Sequence, residues 1–252
     1  MTTLLLCSLI FLLSGLIQGM TGFGGGLVAI PLLCLIMDVK MAVPLCIVSG
    51  LVITTVMAYE LRRLFEWCKI LPLLIGSLPG VLAGTVLLKE TDPVLINRFL
   101  GLMLISISGF NLIFTPKPLN PPSAWGYIAG FFSGGLNAMT GAGGPPAIIY
   151  TTLHDWKKDE IKATLTGFFA LSGYLTAAVH AFSGVITWST MTYFVLTPAL
   201  SAAGHLCRFA DQRPDQSEDL SAHRLSAAGR AGGNDAGGIA QRSSSRKTRR
   251  RL

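Results

Sequence analysis

The stretch QGMTGFGGGLVAIP, residues 18–31, decides how this chain is read, because NAMTGAGGPPAIIY repeats its pattern at residues 137–150. Each copy sets Met-Thr-Gly-x-Gly-Gly between two apolar runs. Glycine inside a helix costs up to about 1 kcal/mol relative to alanine, so both clusters read as helix breaks. The second is the firmer break, since Pro145 and Pro146 lack the N–H that a helix interior needs yet suit a first helical turn.

Outward from the clusters the chain is apolar. Of 252 residues, 51% are hydrophobic and only 13% are charged, with a mean hydropathy of +0.56, whereas soluble domains carry about 25% charged residues. The fold class is therefore an all-α integral membrane protein, a polytopic helical bundle. A bilayer crossing takes roughly 20 residues, and seven spans are expected, at residues 3–37 (interrupted), 41–59, 70–88, 94–114, 125–153 (interrupted), 161–182 and 189–205. The apolar start lacks the basic residues of a signal peptide, so it reads as a retained first helix. Cys7, Cys34, Cys46, Cys68 and Cys207 form no CxxC pair and read as small buried or lipid-facing residues. No metal and no cofactor are expected.

Superposing the clusters sets an offset of 119 residues, with Met20 on Met139, Thr21 on Thr140 and Gly24 on Gly143. The same offset lays Pro79 on Pro198 and Ala83 on Ala202, which argues for an internal repeat. Four spans separate equivalent points, and an even number returns the chain to the same side. Two parallel four-helix repeats, related by an axis along the membrane normal, are thus expected over 1–116 and 117–205, with broken first and fifth helices. The offset places the partner of the fourth helix at residues 213–233, a stretch that carries several charges and no sustained apolar run, so the eighth helix has no counterpart. Residues 206–252 read as a basic, disordered tail. Residues 205–252 hold ten Lys and Arg against five Asp and Glu, most of the total charge of +7. The tail begins in mid-helix where the repeat stops matching, which points to a coding-frame change. Binding of anionic lipid or nucleic acid by its closing arginines is the lesser reading, and no nucleic-acid partner is expected.

After each break a half-helix begins, from about Leu27 in one copy and Pro145 or Pro146 in the other. Free N–H groups and the positive dipole end of such a helix hold an anion without a buried cationic side chain. The candidate substrate-binding residues are Gln18, Thr21, Gly22, Gly24 and Gly25 in the first half, and Asn137, Thr140, Gly141, Gly143, Gly144 and Pro145 in the second. Gln18 matches Asn137 and Thr21 matches Thr140; these side chains read either as substrate contacts or as caps for freed backbone. Gly76, Gly80 and Gly84, and Gly130 with Gly134, lie on single helix faces and read as close packing. His180, Asn111 and Tyr174 are lesser candidates for proton or substrate contact, and a structural role is the plainer reading of His180. The spans hold almost no charge, so a cation pump or a proton relay built on carboxylates has little to work with. A nucleotide-binding reading fails because neither cluster is followed by Lys-Ser or Lys-Thr or preceded by a strand, and no His, Asp or Glu cluster at membrane depth suggests an enzyme.

GLIQGMTGFGGGLVAIPLL (residues 15–33), GGLNAMTGAGGPPAIIY (residues 134–150) and a four-plus-four helix plan resemble the sulfite exporter TauE/SafE family of bacterial membrane permeases over roughly residues 4–205. The resemblance implies a permease or exporter for a small anion such as sulfite or an organosulfonate, multi-pass in the bacterial cytoplasmic membrane. It carries over to the candidate residues above together with Met20, Met139 and Pro146. The anion and the lipid bilayer are the expected partners; the coupling ion, a homodimeric state and the orientation stay open. The alternative is a non-transporting membrane scaffold or assembly protein, or an inactive remnant of a transporter, because the family's closing hydrophobic helix has no counterpart.

Overall fold

The computed structural model describes residues 2–21, 24–113, 119–187, 190–192 and 194. The expected end of the seventh span, the stretch expected to lack an eighth helix and the expected tail lie outside the described residues. Regular structure among the described residues is helical: α1 (Thr2–Thr21), α2 (Gly25–Leu33), α3 (Val39–Leu61), α4 (Trp67–Glu90), α5 (Pro93–Ile113), α6 (Ala124–Thr140), α7 (Gly144–Thr152) and α8 (Lys158–Phe182), with a short 3-10 turn at Arg62–Leu64. The breaks fall at the glycine clusters. Several bounds stand 119 residues apart: α1 and α6 end at Thr21 and Thr140, α2 and α7 begin at Gly25 and Gly144, and α3 and α8 begin at Val39 and Lys158.

After each break the chain turns back along the helix it has just left. The N–H groups of Leu119 and Asn120, just before α6, both donate to Leu153 O just after α7, at 2.8 and 3.0 Å. Asn120 Oδ1 accepts from the Asp155 N–H at 3.0 Å, and Ser133 Oγ donates to Gly143 O nearer the tip. The first break closes the same way, with Ser14 Oγ donating to Gly25 O at 2.8 Å and Cys7, Phe11, Ala29 and Leu33 sharing one buried cluster. Each interrupted span is a helical hairpin, α1–α2 and α6–α7, that leaves on the side from which it entered.

Ion pairs and caps fix the direction of the remaining helices. Lys69, in the first turn of α4, meets Glu160, in the first turn of α8, at 2.8 Å. At the other end, Lys89 Nζ donates to Ser183 O, just past α8, at 3.0 Å; α4 and α8 are parallel. Lys40, in the first turn of α3, donates to Lys89 O at 2.8 Å, so α3 runs against both. The matched helices α3 and α8 are therefore antiparallel, and Thr55 and Tyr174, themselves one offset apart, share a hydrogen bond of 2.7 Å across them. This overturns the expected parallel arrangement. The reason is topological: the first element of each half is a hairpin and does not cross, so α3, α4 and α5 make an odd number of crossings and invert the second half.

α3, α4 and α8 are long and apolar enough to cross a membrane by length and composition. Large apolar side chains such as Leu82, Val86, Leu102 and Ile105 face outward from the bundle, where hydrocarbon rather than water suits them. Inside, α4 lies against α6 almost backbone to backbone. A Cβ at Gly76, Gly80 or Gly84 would strike the carbonyls of Tyr127, Phe131 and Gly135, and one at Gly130 would strike Leu73 O. The glycine stripes thus serve close packing, and they seat the second hairpin on a helix that spans.

Candidate functional site

The two hairpins enter from opposite faces, and their tips meet. A Cβ on Gly26 would fall on the carbonyl of Gly141, leaving no room for a side chain between the tips. Around this contact lies a cavity of about 90 Å3, room for several water-sized groups. Gln18, Gly24, Gly25, Gly26 and Leu27 line it from the first hairpin, and Asn137, Gly141, Ala142, Gly143 and Gly144 from the second. Phe11, Ser14 and residues of α3 and α8, including Cys46, Gly50, Thr54, Phe169 and Gly173, complete the wall.

The lining is matched across the halves at the 119-residue offset: Gln18 with Asn137, Gly24 with Gly143, Gly25 with Gly144, Gly50 with Phe169 and Thr54 with Gly173. The match is chemical at the tips and broken at the wall, where Gly50 faces the role of an aromatic ring. Backbone angles differ as well. Gly24 holds φ +91°, while its counterpart Gly143 is at −75° and the left-handed residue of the second tip is Gly141, at φ +67°.

Charge at the site comes from backbone. Among the described residues, no Asp, Glu, Lys, Arg or His lines the cavity, and no group of three His, Cys, Asp or Glu could hold a metal. The first four N–H groups of a helix have no partner within it. In α2 these belong to Gly25, Gly26, Leu27 and Val28; in α7, Pro145 and Pro146 remove two, leaving Gly144 and Ala147. A hairpin tip also brings the carbonyl end of its entering helix close by, and in α6 three of those carbonyls are occupied. Thr140 Oγ1 donates to Leu136 O at 2.7 Å, Gly141 N–H to Asn137 O at 2.8 Å, and His180 Nε2 to Ala138 O at 3.1 Å. The helix N-terminal residues Gly25, Gly26, Leu27 and Gly144 are themselves among those lining the cavity.

Seven of the expected residues come together on the cavity: Gln18, Gly24, Gly25, Asn137, Gly141, Gly143 and Gly144. Gln18 is 8% exposed, with Oε1 against Gly25. Thr140 is fully buried and stands outside the lining; its hydroxyl bonds Leu136 O and receives the Ala142 N–H at 3.3 Å. Pro145 is buried in the first turn of α7, also away from the lining. The Thr21 side chain and Gly22 lie outside the described residues. Ser14 and Ser133 were not among the expected residues, although the offset pairs them directly and both close a hairpin. Gly26 and the α3 and α8 wall carried no such signal, because small and apolar residues in a membrane helix look alike in composition.

No solved structure matches the chain. A curated relative, the probable sulfite/organosulfonate exporter TauE of Cupriavidus necator, is 26% identical over 181 residues, which cover 66% of this chain and 68% of the relative. The sequence profile of the sulfite exporter TauE/SafE family spans residues 7–210, both hairpins included, and the chain belongs to that family of membrane transporters.

Proposed function

We propose that the chain carries a small anion, of the sulfite or organosulfonate kind, across a bacterial cytoplasmic membrane, holding it in the cavity between the two hairpin tips. The observation that carries this reading is a cavity lined by the first residues of two helices and, among the described residues, by no charged side chain. Helix N-termini bind anions through N–H groups and the dipole together. Gln18 and Asn137 add side-chain amides from opposite halves, so an oxyanion would meet donors on two sides without paying to bury a counter-ion. The name of the relative supports the substrate class.

Inverted halves, residues 1–116 and 117–205, suit alternating access, since each hairpin can close the path from its own face. Thr140 then acts on the backbone that frames the site rather than on the anion. Uptake of radiolabelled sulfite into proteoliposomes tests the reading. Flux should saturate and fall about tenfold or more when Gln18 and Asn137 are both alanine, the loss of two donors worth roughly 1 kcal/mol each. Folded, inserted protein without flux of sulfite or of any sulfonate would instead favour a non-transporting scaffold.

A further inference from the structure

His180 sits in the last turn of α8, is 0% exposed, and is not among the residues lining the cavity. Its Nε2 donates to Ala138 O, in the final turn of the second hairpin's entering helix, at 3.1 Å. Ala138 follows Asn137 and precedes the tip glycine Gly141, both of which line the cavity. The other ring nitrogen, Nδ1, is buried without a hydrogen-bond partner.

The fold does not need a histidine for this bond. Leu136 O, two residues earlier, accepts from a threonine hydroxyl, and the residue matched to His180 in the first half is Leu61. What histidine adds is a second nitrogen that can gain and lose a proton. The groups around it leave that nitrogen as the titratable atom. α6 carries no titratable side chain beyond Tyr127. At the same end of the bundle, Lys89 and Lys40 are spent on Ser183 O and Lys89 O, Asp38 accepts from the Lys40 N–H, Asp92 accepts from the Val94 N–H, and Glu90 is the last residue of α4. α5 brings Arg98, α3 Cys46 and the end of α2 Cys34, and Tyr174 on α8 is bonded to Thr55.

We propose that His180 is the proton-binding site of the transport cycle, taking up a proton from solvent at Nδ1 when an anion enters the cavity and returning it when the anion leaves. This rests on the anion-transport reading above. A proton on Nδ1 creates a buried charge and a buried donor with no acceptor, which is unfavourable on its own. An anion held at the same hairpin tip offsets that charge, and the carbonyl end of α6 favours it as well. Linkage makes the effect reciprocal: the anion tightens the proton and the proton tightens the anion.

Purified full-length protein in detergent micelles is the material for the test, with methanesulfonate as the probe because its charge is constant from about pH 4 to about pH 8, where histidines titrate. Adding it in weak buffer should draw about one proton per anion bound into the protein. His180→Gln keeps a donor for Ala138 O and cannot titrate, so it should bind with an affinity independent of pH and take up no proton. Equal proton uptake by the variant overturns the proposal. Should neither protein bind or carry the sulfonate or sulfite, the transport reading has failed, and amide exchange over residues 137–144 still decides the role of His180. That exchange should change with pH beyond the intrinsic amide rate in the parent and not in the variant; the same profile in both overturns it. His180→Asn is the second variant if the glutamine protein does not fold.

Discussion

At the residue scale, two glycines that look alike in sequence do different things. Gly26 is needed for space, since any Cβ meets the Gly141 carbonyl, whereas Gly24 is needed for its backbone, with φ +91° and nothing within 4 Å of an added Cβ. Gly26→Ala should therefore push the tips apart, costing about 1–3 kcal/mol and most of the flux. Gly24→Ala should cost about 1–2 kcal/mol, and Gly24→Asn less, because asparagine tolerates the left-handed region better. Thermal unfolding in detergent beside proteoliposome flux separates the two. Gly101→Ala, in open space inside α5, should leave flux unchanged and raise stability by up to about 1 kcal/mol. The existence of the breaks was legible, because glycine and proline act on their own few residues. Which glycine is steric and which conformational was not, since that depends on what the other half of the chain brings up against it.

At the scale of elements, the glycine stripes read correctly as a packing face, because a repeat of four residues on one helix side is visible in sequence. The partner was not visible, and it proved to be α6, a hairpin arm rather than an ordinary span. Gly80→Val should place its side chain on the Phe131 carbonyl and lower the unfolding temperature in detergent more than the same change at Gly50, where a Cβ has open space. The hairpins themselves depend on matched serines. Ser14→Ala and Ser133→Ala should each remove one buried hydrogen bond, a loss of about 1 kcal/mol, and should raise amide exchange in α2 and α7 respectively. A change confined to α3 or α4 would contradict that assignment. One signal for the turning back was present in length. Residues 3–37 would make a continuous helix of about 50 Å, well beyond a hydrocarbon core of about 30 Å. Composition marks where a helix stops but carries no sign of which way the chain leaves, and that direction decided the symmetry.

At the scale of the whole molecule, the hairpins redistribute the charges between the two faces. The start of α4, the end of α3, the end of α7 and the start of α8 share one face, which carries Arg62, Arg63, Lys69, Lys157, Lys158 and Lys162. The opposite face, where α3 and α5 begin and α4 and α8 end, carries Lys40, Lys89 and Arg98. With hairpins the excess falls clearly on one side, and the positive-inside rule assigns that side to the cytoplasm. Cysteine accessibility in intact cells checks both the orientation and the inverted plan, in a Cys68→Ser background because Cys68 is exposed near the first of these faces. Lys157→Cys should be blocked only by a reagent that enters the cytoplasm, as Arg63→Cys is. Ser183→Cys should react with an impermeant reagent from outside, as Asp92→Cys does. If α6 and α7 formed one broken crossing, Lys157→Cys and Ser183→Cys would exchange sides while Arg63→Cys and Asp92→Cys kept theirs, so the pairing of the four labels distinguishes a hairpin from a span.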